Sequence, residues 1–214
     1  MTARDVSAAP VLDATFFTVT YIEVVPPSGT QAATLLRQYR EASRWDDGAL
    51  RFEVLQRLDR PNQFTVLAAW RNQGAFEAHV GAAHLTQLNR ELAPTLVAPN
   101  DTRQHNGLAV GHARAVHGTP ITAVTHVDVV PQHKDDAVVA LEQLAEDSRT
   151  HGGNLRFDVW QQTNRPNHFT VVETWSSRRA FDAHAMAAPT RGFRTKLAIM
   201  TGALYDERLY RALR

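Results

Sequence analysis

A long internal repeat constrains the fold of this chain more than any other feature. The stretch RPNQFTVLAAW, residues 60–70, recurs as RPNHFTVVETW, residues 165–175, and the same offset aligns most of the chain without gaps. About 40% of the aligned positions are identical, including LRFEVLQ with LRFDVWQ and AFEAHVGAA with AFDAHAMAA. Two long copies indicate a fused pair of small domains, because solenoids are built from shorter repeats in larger number. We therefore predict domain 1 over residues 14–110, a linker over 111–119 and domain 2 over 120–214.

Each copy begins with a strand followed by a helix. The first strand, FFTVTYIEVV, is rich in β-branched and aromatic residues, and Pro26 ends it. Thr30, or Asp135 in the second copy, is predicted to cap the first helix through its side-chain oxygen. Gly48 and Gly153 stand where a helix commonly stops in a left-handed residue.

The rest of each copy has the pattern strand, strand, helix, strand. In the turn DRPN between LRFEVLQRL and QFTVLAAW, asparagine is expected to bond its own backbone. Asn72 and Ser177 are predicted to cap the second helix, and a last strand lies near residues 102–110 and 207–213. This order predicts an α+β fold with two tandem ferredoxin-like domains. Because QFTVLAAW is apolar on both faces, we expect the two antiparallel sheets to pack face to face as an intrachain dimeric α/β barrel.

Composition excludes several classes of function. A net charge of +1 argues against a nucleic-acid partner. The absence of cysteine rules out disulfides, thiolate nucleophiles and cysteine-ligated metals. No signal-peptide core or membrane-length apolar run occurs, so we expect a cytoplasmic protein without membrane contact. The chain also lacks a phosphate loop and a His-Glu-x-x-His pair, and we expect no metal site.

The segment from Trp70 to His84 resembles the antibiotic biosynthesis monooxygenase family, which includes quinol monooxygenases and haem-degrading enzymes. Members show a strand ending in Trp, then an aromatic residue or Leu, then a His nine positions after the Trp. The matching residues are Trp70, Phe76, His79 and His84 in the first copy. The second copy has Trp175, Phe181 and His184, but Pro189 replaces the last His. The resemblance implies a pocket between sheet and helices. It further implies that, in this pocket, O₂ oxidises a quinol or a polyphenolic or polyketide aromatic without metal or organic cofactor.

The resemblance makes His79 and His184 candidate catalytic bases, because imidazole can take a phenolic proton near neutral pH. The alternatives for each are a hydrogen-bonded histidine at a helix–sheet seam and a haem ligand. Glu173 is a third candidate base, because a carboxylate on an apolar strand face has a raised pKa. Its alternative is an ion pair with Arg156 or Arg178.

The remaining candidates would bind the substrate. Trp70 and Trp175, with Phe76 and Phe181, would stack on a flat ring; the alternative for the tryptophans is core packing. The residues with a polar role are Tyr21, His126, Arg51 and Arg156. Tyr21 and His126 would face either the pocket or the interior between the sheets. Arg51 and Arg156 would steady an oxyanion, or lie at strand ends in solvent.

Two further observations bear on the choice of function. The haem-degrading branch carries an asparagine on its first strand, near the positions of Tyr21 and His126, and this difference disfavours haem degradation. His105, His112 and His117 cluster near the linker and are expected to be solvent-exposed.

The leading hypothesis is a cofactor-independent monooxygenase whose partners are a small aromatic substrate and O₂. The first alternative is a non-catalytic α/β barrel that binds a small ligand or serves as an assembly module. The second is a haem-binding or haem-degrading monooxygenase. Whether the fused pair forms a further homodimer is left open by the sequence.

Overall fold

The computed structural model describes residues 15–115 and 118–213. Ala14, His117 and Arg214, which belong to the predicted domains and linker, lie outside the described residues. The elements in chain order are β1 (Phe16–Glu23), α1 (Gly29–Ser43), β2 (Ala49–Arg57), β3 (Gln63–Trp70), α2 (Gln73–Val80), α3 (Ala83–Leu92), β4 (Asp101–Ala109), β5 (Ile121–Asp128), α4 (Lys134–Thr150), β6 (Asn154–Gln162), β7 (His168–Trp175), α5 (Arg178–Ala185), α6 (Ala188–Leu197) and β8 (Asp206–Ala212).

The strands join in one closed antiparallel barrel, in the order β1-β3-β2-β8-β5-β7-β6-β4. The first half contributes the ferredoxin-like order β4-β1-β3-β2, and the second half repeats it as β8-β5-β7-β6. The halves are joined along their edges, where β2 pairs with β8 and β4 pairs with β6. This arrangement confirms the predicted α+β fold of two ferredoxin-like units that close into an intrachain α/β barrel.

The repeated RPN turn has a structural role in both halves. The side-chain amide of Asn62 donates to the carbonyl of Val24 at 2.8 Å, and that of Asn167 donates to Val129 at 2.7 Å. Each asparagine therefore ties the turn after β2 or β6 to the end of the first strand of its half. The prediction that these asparagines bond their own backbone is wrong.

The helix ends differ in detail from the sequence prediction. α1 begins at Gly29 and α4 begins at Lys134, so Thr30 and Asp135 lie inside the first turn and do not cap it. The predicted second helix of each half is two helices, α2 with α3 and α5 with α6. The caps at Asn72 and Ser177 are confirmed, since each side chain accepts from the backbone N–H three residues ahead.

Both faces of β3 are buried, as its apolar sequence predicted. Leu67 faces the barrel interior and belongs to the cluster in which Phe17 stacks on Trp160 with ring centroids 4.7 Å apart. Val66 faces outward and packs beneath α1 against Leu36. The interior cluster joins the two halves, and the helices pack against the outward face of the sheet. None of the helices in the described ranges is long and apolar enough to cross a membrane.

Candidate active site

A cavity of about 340 Å³ lies between the outer face of the first half of the sheet and helices α1 to α3. Phe52, Trp70 and Phe76 provide aromatic walls, and Thr18 and Gln104 add polar groups. Pockets for small ligands have volumes of roughly 300–1,000 Å³ and mostly apolar walls with a few polar groups. The first half therefore contains the pocket that the resemblance implied.

His79 extends from α2 into the wall of this cavity and is held at both ring nitrogens. Its Nδ1 lies 2.6 Å from Oδ2 of Asp46, and its Nε2 lies 2.8 Å from the hydroxyl of Tyr39. Since a carboxylate can only accept, Nδ1 carries the proton and Nε2 accepts from the tyrosine. Burial lowers the pKa of His79, although Asp46 acts in the opposite direction. The imidazole is thus neutral at neutral pH, with its basic nitrogen directed toward the tyrosine that also lines the cavity.

Trp70 lies beside this histidine at the end of β3. The two ring centroids are 4.6 Å apart, and the indole N–H donates to Oγ1 of Thr18 at 3.2 Å. The side chain is fully buried and still lines the cavity. Trp70 therefore packs in the core and also forms part of the cavity wall.

His84, the second histidine of the first copy, approaches the same carboxylate. Its Nε2 lies 3.2 Å from Oδ2 of Asp46, and its ring centroid is 5.4 Å from that of His79. Asp46 lies in the turn between α1 and β2 and is thus positioned between two imidazoles from the segment that carries α2 and α3.

His184, the counterpart of His79, has different partners in the second half. Its Nδ1 lies 3.0 Å from Nδ1 of His151, which occupies the position of Asp46. Its ring stacks on Trp175 with centroids 4.4 Å apart. Burial, and then the neighbouring His151, lower the pKa of His184 to about 4. The second half keeps the Trp–His pair but lacks the carboxylate that orients the histidine in the first.

Glu173 is buried between Trp175 and His184. The indole N–H of Trp175 donates to its Oε2 at 2.6 Å, and the same oxygen lies 3.4 Å from Nε2 of His184. Burial raises the pKa of Glu173 to about 8, so the carboxyl is protonated at neutral pH. The alternative of an ion pair with Arg156 or Arg178 is wrong, because those side chains pair with other carboxylates.

The second half also carries larger polar side chains where the first half has its cavity. Arg194, Tyr205 and Glu207 occupy the positions of Asn89, Asn100 and Thr102, which line the cavity. The guanidinium of Arg194 lies 3.1 Å from Oε2 of Glu207, and it also lies over the ring of Tyr205. The two halves therefore present different surroundings to any ligand beneath the helices.

Tyr21 and His126 lie inside the barrel and do not line the cavity at Trp70. The hydroxyl of Tyr21 lies 2.6 Å from Nε2 of His126, whose Nδ1 lies 3.3 Å from Thr170. Oγ1 of Thr170 also lies 3.0 Å from Nε2 of His105. The predicted exposure of His105 is wrong, since it is 1% exposed, whereas His112 is exposed.

Arg51 and Arg156 also face the barrel interior. Arg156 contacts Glu53 through Nη1 and Asp158 through Nε, both at 2.6 Å, and Arg51 lies 3.6 Å from the same Asp158. The predicted alternative that Arg156 lies at a strand end in solvent is wrong, because this residue is 4% exposed. These arginines join the halves of the barrel and do not reach the cavity.

Asp46 and Tyr39 are the site residues that sequence reasoning missed. Tyr39 fitted the apolar face of the first helix, and Asp46 is 33 residues from the histidine it contacts. The second copy has Leu144 at the position of Tyr39 and His151 at the position of Asp46. Both immediate neighbours of Asp46 also differ between the copies, so the alignment of the two halves does not single out this aspartate.

Comparison with known proteins establishes the family. The sequence profile described as "Antibiotic biosynthesis monooxygenase" matches residues 15–91 and again residues 120–196. The chain belongs to this family. A curated relative, "Putative monooxygenase YcnE" of Bacillus subtilis (strain 168), is 25% identical over 76 residues, which span 36% of this chain and 80% of the relative. Membership of the antibiotic biosynthesis monooxygenase family supports the view that the protein is an enzyme with a monooxygenase-type function.

Two crystal structures resemble this chain over nearly its whole length. One, described as a "putative monooxygenase" from Lactobacillus acidophilus NCFM, has a TM-score of 0.77 at 11% identity and covers 94% of this chain and 95% of its own. The other, with the same description, comes from Fusobacterium nucleatum subsp. nucleatum ATCC 25586. It has a TM-score of 0.83 at 12% identity and covers 94% of this chain and 93% of its own. At such low identity the two structures bear on the fold alone.

Proposed function

We propose that the protein is a cofactor-independent monooxygenase that oxidises a quinol or a polyphenolic or polyketide aromatic with O₂ in the first-half cavity. The observation that carries the proposal is the placement of His79. Asp46 holds one of its nitrogens and leaves the other at the edge of an aromatic-walled cavity of about 340 Å³. A flat ring would stack against Trp70 and place a hydroxyl at the His79–Tyr39 pair.

The chemistry begins with the phenolic proton. It moves from the substrate hydroxyl to Nε2 of His79, either directly after the substrate displaces the tyrosine contact or through the Tyr39 hydroxyl. Asp46 stabilises the imidazolium that forms, because its carboxylate contacts the opposite nitrogen. The electron-rich anion then transfers an electron to O₂, and the radical pair combines at a ring carbon. For a quinol, one oxygen atom enters the product as a hydroxyquinone and the other leaves as water with the two hydrogens removed.

Two features of the cavity support this reaction. The walls formed by Phe52, Trp70 and Phe76 exclude water, which strengthens the interaction between the substrate anion and the imidazolium. The second half has a protonated Glu173 and no carboxylate at the position of Asp46. We therefore assign the reaction to the first half and a lesser or different role to His184.

Oxygen uptake with a panel of hydroquinones and larger polyphenols tests the proposal. His79→Ala is expected to lower kcat by about 10²–10⁴-fold, the usual contribution of a general base. Trp70→Phe is expected to raise KM more than it lowers kcat. His184→Ala is the matched control and is expected to retain most of the activity.

Three results would overturn the assignment. Equal loss of activity in His79→Ala and His184→Ala would move the reaction out of the first-half cavity. Tight binding of an aromatic dye with no oxygen uptake across the panel would favour the non-catalytic binding protein. A Soret band on addition of haemin would favour a haem enzyme.

A further inference from the structure

Three metal-ligating side chains converge on the solvent side of His79. Oδ2 of Asp46, Nδ1 of His79 and Nε2 of His84 all lie within 4.8 Å of one another. The carboxylate oxygen is 2.6 Å from the first imidazole nitrogen and 3.2 Å from the second. Three donor atoms of two kinds thus lie close together, although their residues come from two separate parts of the chain.

One of these donors has no hydrogen-bond partner among the residues that the structure describes. Nε2 of His84 is buried and makes no hydrogen bond of acceptable geometry within residues 15–115 and 118–213, although it lies close to the carboxylate of Asp46. An imidazole nitrogen that is buried without a partner loses the interactions it would have with water. A cation bound between Asp46 and His84 would supply the missing interaction.

The spacing of the donors suits a small divalent cation. Zinc binds imidazole nitrogen at about 2.0–2.1 Å and carboxylate oxygen at about 2.0–2.2 Å, so adjacent donor atoms are about 3–3.5 Å apart. The Asp46–His84 separation of 3.2 Å already fits this range. The Asp46–His79 pair, at 2.6 Å, would open slightly, and the two histidine nitrogens, which lie within 4.8 Å of each other, would move closer together. A separate depression of about 310 Å³ that includes Asp46 and His79 gives an ion access from solvent and leaves room for water ligands.

We propose that Asp46, His79 and His84 form a binding site for a divalent first-row transition metal, with Zn²⁺ and Co²⁺ as representatives of the class. Two imidazoles and one carboxylate are a donor set that suits such ions and leaves positions open for water. The metal replaces the proton that Asp46 and His79 share. The Nε2–H of His79 then donates to Tyr39, which holds the ring in the orientation that presents Nδ1 to the metal. The metal-bound form therefore has no free base at Nε2, and the proposed oxidation belongs to the metal-free form.

The second half serves as a built-in comparison. There, His151, His184 and Pro189 occupy the three corresponding positions, so the carboxylate and the third donor are both lost. The proposal therefore expects one metal ion per chain and not two. The expectation of no metal site, made from the sequence, missed a cluster that only the fold assembles.

Titration of tag-free protein with zinc chloride in a calorimeter, with cobalt absorption spectra as a second readout, tests the site. We expect saturable binding of one ion and a weakening of at least about 10- to 100-fold in His84→Ala and in Asp46→Asn. Asp47→Asn, a change at an exposed carboxylate next in sequence, is the control and is expected to bind like the wild type. Circular dichroism establishes that each variant is folded before it is titrated.

The test is independent of the proposed oxidation reaction, because binding is measured without an aromatic substrate. His84→Ala removes a proposed metal ligand and leaves the proposed base in place. Failure of folded wild-type protein to bind either ion up to millimolar concentration would overturn the metal site. Binding that persists unchanged in both His84→Ala and Asp46→Asn would also overturn it, since the ion would then be held by other histidines.

Discussion

The buried carboxyl of Glu173 should make the stability of the protein depend on pH, and Glu173→Gln should remove that dependence. Glutamine has nearly the same shape and its amide oxygen can still accept from the indole N–H of Trp175, which contacts Glu173 at 2.6 Å. The substitution therefore preserves packing and removes only the titrating group. In the first half the same position is Ala68, so no equivalent titration is expected there.

The magnitude follows from the difference between the folded and unfolded pKa. Burial raises the folded pKa of Glu173 to about 8, from an unfolded value of 4.5. The folded state therefore holds the proton more tightly, and its stability is full below the unfolded pKa and falls as pH rises through the folded pKa. Each pH unit in this window changes the free energy of unfolding by up to about 1.4 kcal/mol, which gives a total loss of roughly 3–5 kcal/mol.

Urea unfolding followed by circular dichroism measures this loss at a series of pH values from about 4 to about 10, which brackets both the unfolded and the folded pKa. The wild type should lose stability relative to Glu173→Gln across the window, and the two curves should run parallel above the folded pKa. Glu142→Gln, at an exposed position on α4, is the matched control and should follow the wild type. Parallel curves for wild type and Glu173→Gln throughout the window would refute the reasoning, because they would mean that burial does not perturb this carboxyl.

Three further substitutions test the contacts that hold the barrel and the site. Gly48→Ala should lose about 1–3 kcal/mol in urea unfolding, since Gly48 has a φ of 83° and a Cβ there would lie 2.6 Å from Cβ of Ala75. Asn62→Ala should lose about 1–2 kcal/mol by the same assay, because the carbonyl of Val24 loses its donor. Arg156→Met should lose about 3–5 kcal/mol in thermal or urea unfolding, because it leaves buried carboxylate charge in the barrel without its main partner.

The fold was predictable because the repeat carries most of the information. The two aligned copies have the same order of strands and helices, and each contains a strand that is apolar on both faces. The sheet face that the helices leave uncovered must therefore be buried by a second sheet. The identity of that second sheet was inferred correctly. The boundaries of the helices were not, since Thr30 and Asp135 have the residue type of a cap but lie one residue inside the helix. Local residue preferences do not determine such one-residue differences, because tertiary packing also decides where a helix begins.

The site was only partly predictable. Trp70 and His79 follow a local pattern, nine residues apart, and the structure places both at the cavity. Asp46 and Tyr39 come from earlier parts of the chain, and only the folded arrangement brings them to the histidine. The direction of Tyr21 could not be predicted either. Strand alternation assigns its side chain to one of two sheet faces, but no local signal shows which face points into the barrel.

The interior contacts explain what fusion adds to a barrel of this kind. Tyr21 and His126 occupy equivalent positions in the two halves and contact each other at 2.6 Å. Two identical subunits related by a two-fold axis would place the same residue at both positions. An unlike Tyr–His pair therefore requires two different halves, and the fused chain supplies them. The same freedom lets one half keep Asp46 beside a cavity while the other carries Arg194 and Glu207 in the equivalent region. Divergence after duplication can therefore confine the proposed reaction to one half and leave the other free to stabilise the shared barrel.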